Sequence, residues 1–98
     1  LVYVANWPET RKVAWKTLLQ ARAIENQCYV VGVNRVGKDG NNLSYSGGSM
    51  IVDPLGEILY KKENDEEVFT YTLKKEKLTS VRDTFPFWKD ADSYNINL

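Results

Sequence analysis

The chain has 98 residues, 13 Lys+Arg and 13 Asp+Glu, and so no formal net charge; it lacks the basic excess that binding to nucleic acid or an anionic membrane surface calls for. It contains no His, which removes every Ser-His-Asp and Cys-His arrangement and nearly all zinc sites. A hydrophobic share of 43% with three Trp and six Tyr is enough apolar material for one small domain, and no run approaches the ~20 residues of a membrane-spanning helix.

Leu1–Ala5 is an unbroken apolar run that predicts a strand covered on both faces. The chain opens inside this strand rather than on Met, and we expect a piece of something longer. Asn6-Trp7-Pro8-Glu9 stops the strand and starts a helix, with Pro8 suited to the first helical position and Glu9 to the positive helix end. The helix runs to about Gln27. Leu18, Arg22, Trp15, Asn26 and Leu19 share an arc of roughly 100° on it. Arg22 and Asn26 thus fall within the stripe expected to meet the core, with Glu25 on its flank. An unpaired buried charge costs several kcal/mol, so Arg22 is expected to be buried and salt-bridged within a polar network.

Cys28–Val36 reads as a second buried strand, and strand, helix, strand predicts a βαβ crossover with parallel strands. Gly37–Asn42 is a turn-rich loop and Gly47-Gly48 a further break. Ser49–Asp53 and Glu57–Lys61 flank Pro54-Leu55-Gly56 and predict a hairpin. Val68–Leu73 alternates and predicts another strand, and Lys74 to about Asp83 a short helix. Phe85, Phe87 and Trp88 are too apolar to stay in water, and two destinations are open: the chain's own fold or a partner subunit.

Candidate site residues follow from position. Asn6 and Trp7 come after the carboxyl end of a parallel strand, where open α/β sheets place ligands, and are the substrate-binding candidates. Asn34 ends the second strand on the same side. It joins Arg22, Glu25 and Asn26 as a structural residue supporting the site. Ser49 after two Gly suits a structural turn, since no Gly-Lys-Ser/Thr follows to make a phosphate loop. Asp90-Ala91-Asp92 has no further ligands near it, so no metal is expected. The lone Cys28 leads into a strand and reads as a small buried hydrophobe. A single thiol fits a reducing, cytoplasmic setting.

Together, Asn6-Trp-Pro8, Trp15-Lys-Thr-Leu-Leu-Gln-Ala-Arg-Ala-Ile-Glu-Asn-Gln27, Tyr29-Val-Val-Gly-Val-Asn-Arg-Val-Gly37, Gly47-Gly-Ser49, Asp53-Pro-Leu-Gly56 and Phe85-Pro-Phe-Trp-Lys-Asp-Ala-Asp92 resemble the nitrilase superfamily of carbon–nitrogen hydrolases, in its ω-amidase-like branch. The resemblance implies an α/β fold, part of an α-β-β-α sandwich. On it, residues 1–98 are the C-terminal part of a single hydrolase domain that usually forms a homodimer. It also implies hydrolysis of non-peptide amides, such as the ω-amides of α-keto acids, without a cofactor. A Cys thiolate attacks, a Glu acts as base and acid, and a Lys stabilises the oxyanion. In the family all three precede the Ala-Arg-Ala-Ile-Glu-Asn helix, so this segment is expected to carry no catalytic residue and to be inactive alone. Cys28 lacks the sequence that follows the family's nucleophile. The alternative reading is a non-catalytic dimerisation or interaction module derived from the same fold.

Overall fold

The computed structural model describes residues 1–98. The chain forms β1 (Val2–Ala5), a 3₁₀ turn (Glu9–Arg11), α1 (Lys12–Asn26), β2 (Val30–Asn34), β3 (Val36–Lys38), β4 (Ser44–Val52), β5 (Ile58–Glu63), α2 (Lys75–Thr84) and a second 3₁₀ turn (Phe87–Asp90). The fold is mixed α/β. β1 and β2 run parallel, from Val2 opposite Val31 to Ala5 opposite Asn34, so the crossover expected from sequence is present. β4 is antiparallel to β2, β3 and β5. The expected hairpin is the β4–β5 pair, and α2 lies one residue on from its expected start. Pro8 sits just before the 3₁₀ turn rather than inside α1, with φ −66° and ψ 149°.

One register unites β2 and β3 along β4. Gly32 faces Met50 and Val36 faces Ser46, yet no ladder pair joins the residues between. The interruption falls opposite Gly47 and Gly48, whose φ angles are +77° and +72°. Two successive residues in that region need glycine, because a Cβ would clash with the backbone. The expected break at Gly47-Gly48 is therefore a distortion within one continuous strand, not the end of one.

α1 lies on one face of the sheet. Trp15, Leu19 and Ala23, spaced one turn apart, pack with Val30, Met50 and Val52 in the core. Burying a side chain the size of Leu19 stabilises by about 1.5–3 kcal/mol. The smallest extent of the molecule, 19 Å, is the thickness of one helix on one sheet. The other sheet face is open. Val4 on β1 is 80% exposed and Val33 on β2 45% exposed, so the expectation that β1 is covered on both faces is not met within this chain.

Arg22 also departs from expectation. The buried stripe is centred about 50° round the helix from the arc expected from sequence, because Ala23, too small to weigh there, is fully buried against the sheet. Arg22 is left on the flank with its side chain 43% exposed. Val68–Leu73 belongs to no ladder either. Its alternation is still expressed: Val68 is exposed to solvent, while the Phe69 ring stacks on Tyr60 with centroids 3.6 Å apart. Side-chain packing, not backbone pairing, holds that segment.

Candidate functional site

The carboxyl ends of β1 and β2 are held together by Asn34. Its Oδ1 accepts from the Trp7 N–H at 2.8 Å, and its Nδ2 donates back to the Trp7 carbonyl at 3.0 Å. The same Nδ2 donates to the Gly47 carbonyl at 2.8 Å. One carboxamide therefore binds both ends of a single residue's backbone and ties it to β4. Its backbone is stapled separately: the Asn34 N–H donates to Ser49 Oγ at 2.9 Å, and that hydroxyl donates to the Asn34 carbonyl at 3.3 Å.

The other carbonyl at the glycine distortion, that of Gly48, accepts from Trp15 Nε1 at 2.8 Å. Trp15 in turn packs beside Trp7, centroid to centroid 5.8 Å. Trp7 Nε1 donates to the Arg11 carbonyl, and the Arg11 guanidinium lies 4.7 Å from the Trp7 ring centroid. Trp7 is half-buried and Asn6, beside it, is exposed. Trp7 also lines a 160 Å³ apolar groove with Tyr3, Trp15, Leu18, Leu19 and Arg22.

Asn34 and Ser49 also border a larger cleft, 490 Å³, on the open face of the sheet. Val33 and Ile51 give it an apolar floor, and Tyr60, Phe69, Lys62 and Glu67 form one side. That side is a closed ionic network. Lys62 Nζ lies 3.3 Å from Glu67 and 3.6 Å from Asp65, and the Tyr60 hydroxyl donates to Glu67 at 2.6 Å. Hydrogen bonding to Glu67 holds both the Lys62 ammonium and the Tyr60 phenol above their ordinary pKa values. The Tyr60 hydrogen bond in turn holds Glu67 below its own, against a smaller opposing effect of burial. The cleft thus offers shape, an apolar floor and polar edges, and its hydroxyls are engaged. It can bind and orient, but it carries no poised nucleophile and base.

The structure brings Trp7 and Asn34 together and leaves Asn6 exposed next to them. Arg22, Glu25 and Asn26 form a separate cluster on α1: Arg22 pairs with Glu25 across one turn, and Asn26 Nδ2 donates to the Arg22 carbonyl at 2.9 Å. This is a solvent-facing arrangement and not the expected buried network, so the salt bridge is present and the burial is not. Cys28 is partly buried and packs against the core, with its N–H donating to the Ala23 carbonyl. Phe87 and Trp88 are 63% and 62% exposed, so neither docks on the chain's own sheet. Asp90 and Asp92 are exposed as well.

Two buried polar residues escaped notice in the sequence. Asp53 is fully buried. Its Oδ1 accepts from the Leu55 and Glu57 N–H groups at 2.9 and 3.0 Å, closing the β4–β5 turn. Lys77 Nζ lies 2.7 Å from Oδ2. That oxygen makes no aligned hydrogen bond, so the contact is one of charge. Burial pushes the Asp53 carboxyl up, but Lys77 and the two N–H groups together hold it below its ordinary value. Gln27, in the left-handed region at φ 47°, donates to the Phe85 carbonyl at 2.7 Å and accepts on its own carbonyl from Arg82 at 3.0 Å. The Asp-Pro-x-Gly spacing was a usable signal for Asp53; nothing local marked Gln27. No group of three or more acidic or Cys side chains gathers to hold a metal ion, and no helix is long and apolar enough to cross a membrane.

Residues 1–83 match the Carbon-nitrogen hydrolase family. The chain belongs to it. Omega-amidase YafV of Escherichia coli K12 is 45% identical over 96 residues, which make up 97% of this chain and 38% of that protein. The 2-oxoglutaramate amidase of Bacillus subtilis is 37% identical over 88% of the chain and 33% of its own length. Among solved structures, a CN-hydrolase superfamily protein from Xanthomonas campestris, with an arsenic adduct in its active site, superposes with a TM-score of 0.92. It is 48% identical, and the match covers 98% of this chain and 36% of that one. The mixed α/β fold described above is thus a portion of the nitrilase-superfamily fold, and the chain spans 33–38% of the length of these relatives.

Proposed function

We propose that this chain is the C-terminal part of a carbon–nitrogen hydrolase that releases ammonia from the ω-amide of an α-keto acid, 2-oxoglutaramate being the type substrate. The observation that carries this reading is the 45% identity to Omega-amidase YafV across 97% of the chain, joined to a TM-score of 0.92 against a superfamily structure. On this reading the Cys, Glu and Lys that the family's chemistry needs come from outside these 98 residues. Cys28 takes no part, because it packs against the core in the link between α1 and β2. What the segment contributes is the carboxyl-end architecture of β1 and β2: the Asn6–Trp7 turn, and the cleft that Asn34, bonded to Trp7, borders.

The exposed apolar residues of β1, Phe87 and Trp88 support packing against further protein, and a cytoplasmic homodimer is the assembly we assign. Ammonia release by the intact protein from 2-oxoglutaramate and from a simple nitrile tests the reading. Release from the keto-amide is expected. Turnover of the nitrile alone would refute it.

A further inference from the structure

We infer that Asn34 is a positioning residue for the substrate: its carboxamide fixes the Asn6–Trp7 turn relative to the glycine distortion of β4, and so sets one wall of the substrate site. This rests on the amidase reading given above. The geometry is specific to a carboxamide. Oδ1 takes the Trp7 N–H while the two Nδ2 hydrogens go to the carbonyls of Trp7 and Gly47. Every polar hydrogen of the side chain is thus engaged, each on backbone. A carboxylate of the same shape would keep the first bond but place an acceptor oxygen against two carbonyl oxygens. The turn it holds is the segment leaving β1 at the sheet's carboxyl edge, where α/β sheets bind ligands, and Asn34 itself borders the 490 Å³ cleft.

Asn34 is not needed to close the core, which is built from Trp15, Leu19, Ala23, Val30, Met50 and Val52. The strand pairing at this point is also held independently, by Ser49 Oγ on the Asn34 backbone. Changing the carboxamide therefore releases the Trp7 peptide while leaving that staple in place. A binding wall that shifts without touching the reacting groups weakens substrate and transition state alike, which raises KM and spares kcat.

The test uses the intact protein with 2-oxoglutaramate as the probe, comparing wild type, Asn34→Asp and Gln27→Ala by ammonia release and thermal unfolding. Asn34→Asp is expected to raise KM about tenfold or more with kcat within about threefold. Gln27→Ala, which loses the hydrogen bond to the Phe85 carbonyl away from the cleft, is expected to lower the unfolding temperature with KM within about twofold. Should Asn34→Asp fail to fold, Asn34→Ser is read by the same criterion. An unchanged KM in the Asn34 variant, or an equal rise in Gln27→Ala, overturns the inference while leaving the amidase reading standing. A wild type that releases no ammonia from the keto-amide sinks both.

Discussion

At Gly32 α1 comes close to the sheet, and its replacement by Ala gives a sharp test of the fold. A Cβ built there would lie 2.6 Å from Leu19 Cδ1 and 2.9 Å from Trp15 Cζ2. Carbon atoms rest at about 3.5–4.0 Å, so roughly 1 Å must be found. Neither neighbour can supply it freely. Leu19 is 3% exposed within the core, and the Trp15 indole is pinned by its 2.8 Å hydrogen bond to the Gly48 carbonyl. Either α1 lifts off the sheet or that bond breaks. Overpacking costs about 1–3 kcal/mol, and loss of the indole bond adds about 1 kcal/mol.

Leu19→Ala alone removes core packing and costs about 2–5 kcal/mol. It also vacates the space that the new methyl needs. The double variant is therefore expected to be more stable than the sum of the single changes implies, by about 1–2 kcal/mol. Urea unfolding of the intact protein, followed by circular dichroism, measures all four species. A Gly32→Ala penalty below about 0.5 kcal/mol, or additivity within that margin, would refute the close approach of helix and sheet.

Two further outcomes follow from single side chains. Asp53 titrates below its ordinary value in the folded chain, so its contribution to stability is present above the ordinary carboxylate range and is lost as pH falls through the depressed folded value. The stability gap between wild type and Asp53→Asn should accordingly be open at pH 7 and narrow on acidification; denaturant unfolding at several pH values checks this, and a gap that widened in acid would contradict the sealed carboxylate. Cys28→Ser should retain kcat to within about twofold in the intact protein. A collapse of turnover with the fold preserved would make Cys28 the nucleophile and overturn the assignment of the chemistry to residues outside this segment.

Much of this architecture could be read in the residues, and the failures have physical causes. The crossover, the hairpin and α2 follow from apolar runs and turn chemistry, which are local. The face of α1 does not. Judged by large side chains, the stripe centres near Arg22. Judged by what the sheet can approach, it centres on Leu19 and Ala23, and it is the small residue that decides. Val68–Leu73 has the alternation of a strand, but alternation specifies only which side chains face inward; a ladder needs a neighbour with free backbone groups, and within this chain Tyr60 offers that segment a ring. Trp7 and Asn34 were both marked from position alone. Their mutual bonding was not, because it involves a third participant 13 residues beyond Asn34, the distorted stretch that begins at Gly47.

That stretch explains why a polar clasp exists here at all. With φ at +77° and +72°, β4 breaks its ladder with β2 and β3 while keeping β5, and the carbonyls of Gly47 and Gly48 accept from side chains. A carbonyl left unpaired in a partly buried place costs about 1–3 kcal/mol. Side chains meet that cost, Asn34 at Gly47 and Trp15 at Gly48, and each comes from a different element. The helix, the end of β2 and, through the Trp7 peptide, the end of β1 are consequently tied to one distorted point on β4. Straightening that point with a larger residue would do more than strain one strand, for it would move both carbonyls and take away the indole's acceptor and one of the carboxamide's two. The carboxyl-end turn owes its fixed position to an irregularity in the sheet rather than to the sheet's regular pairing.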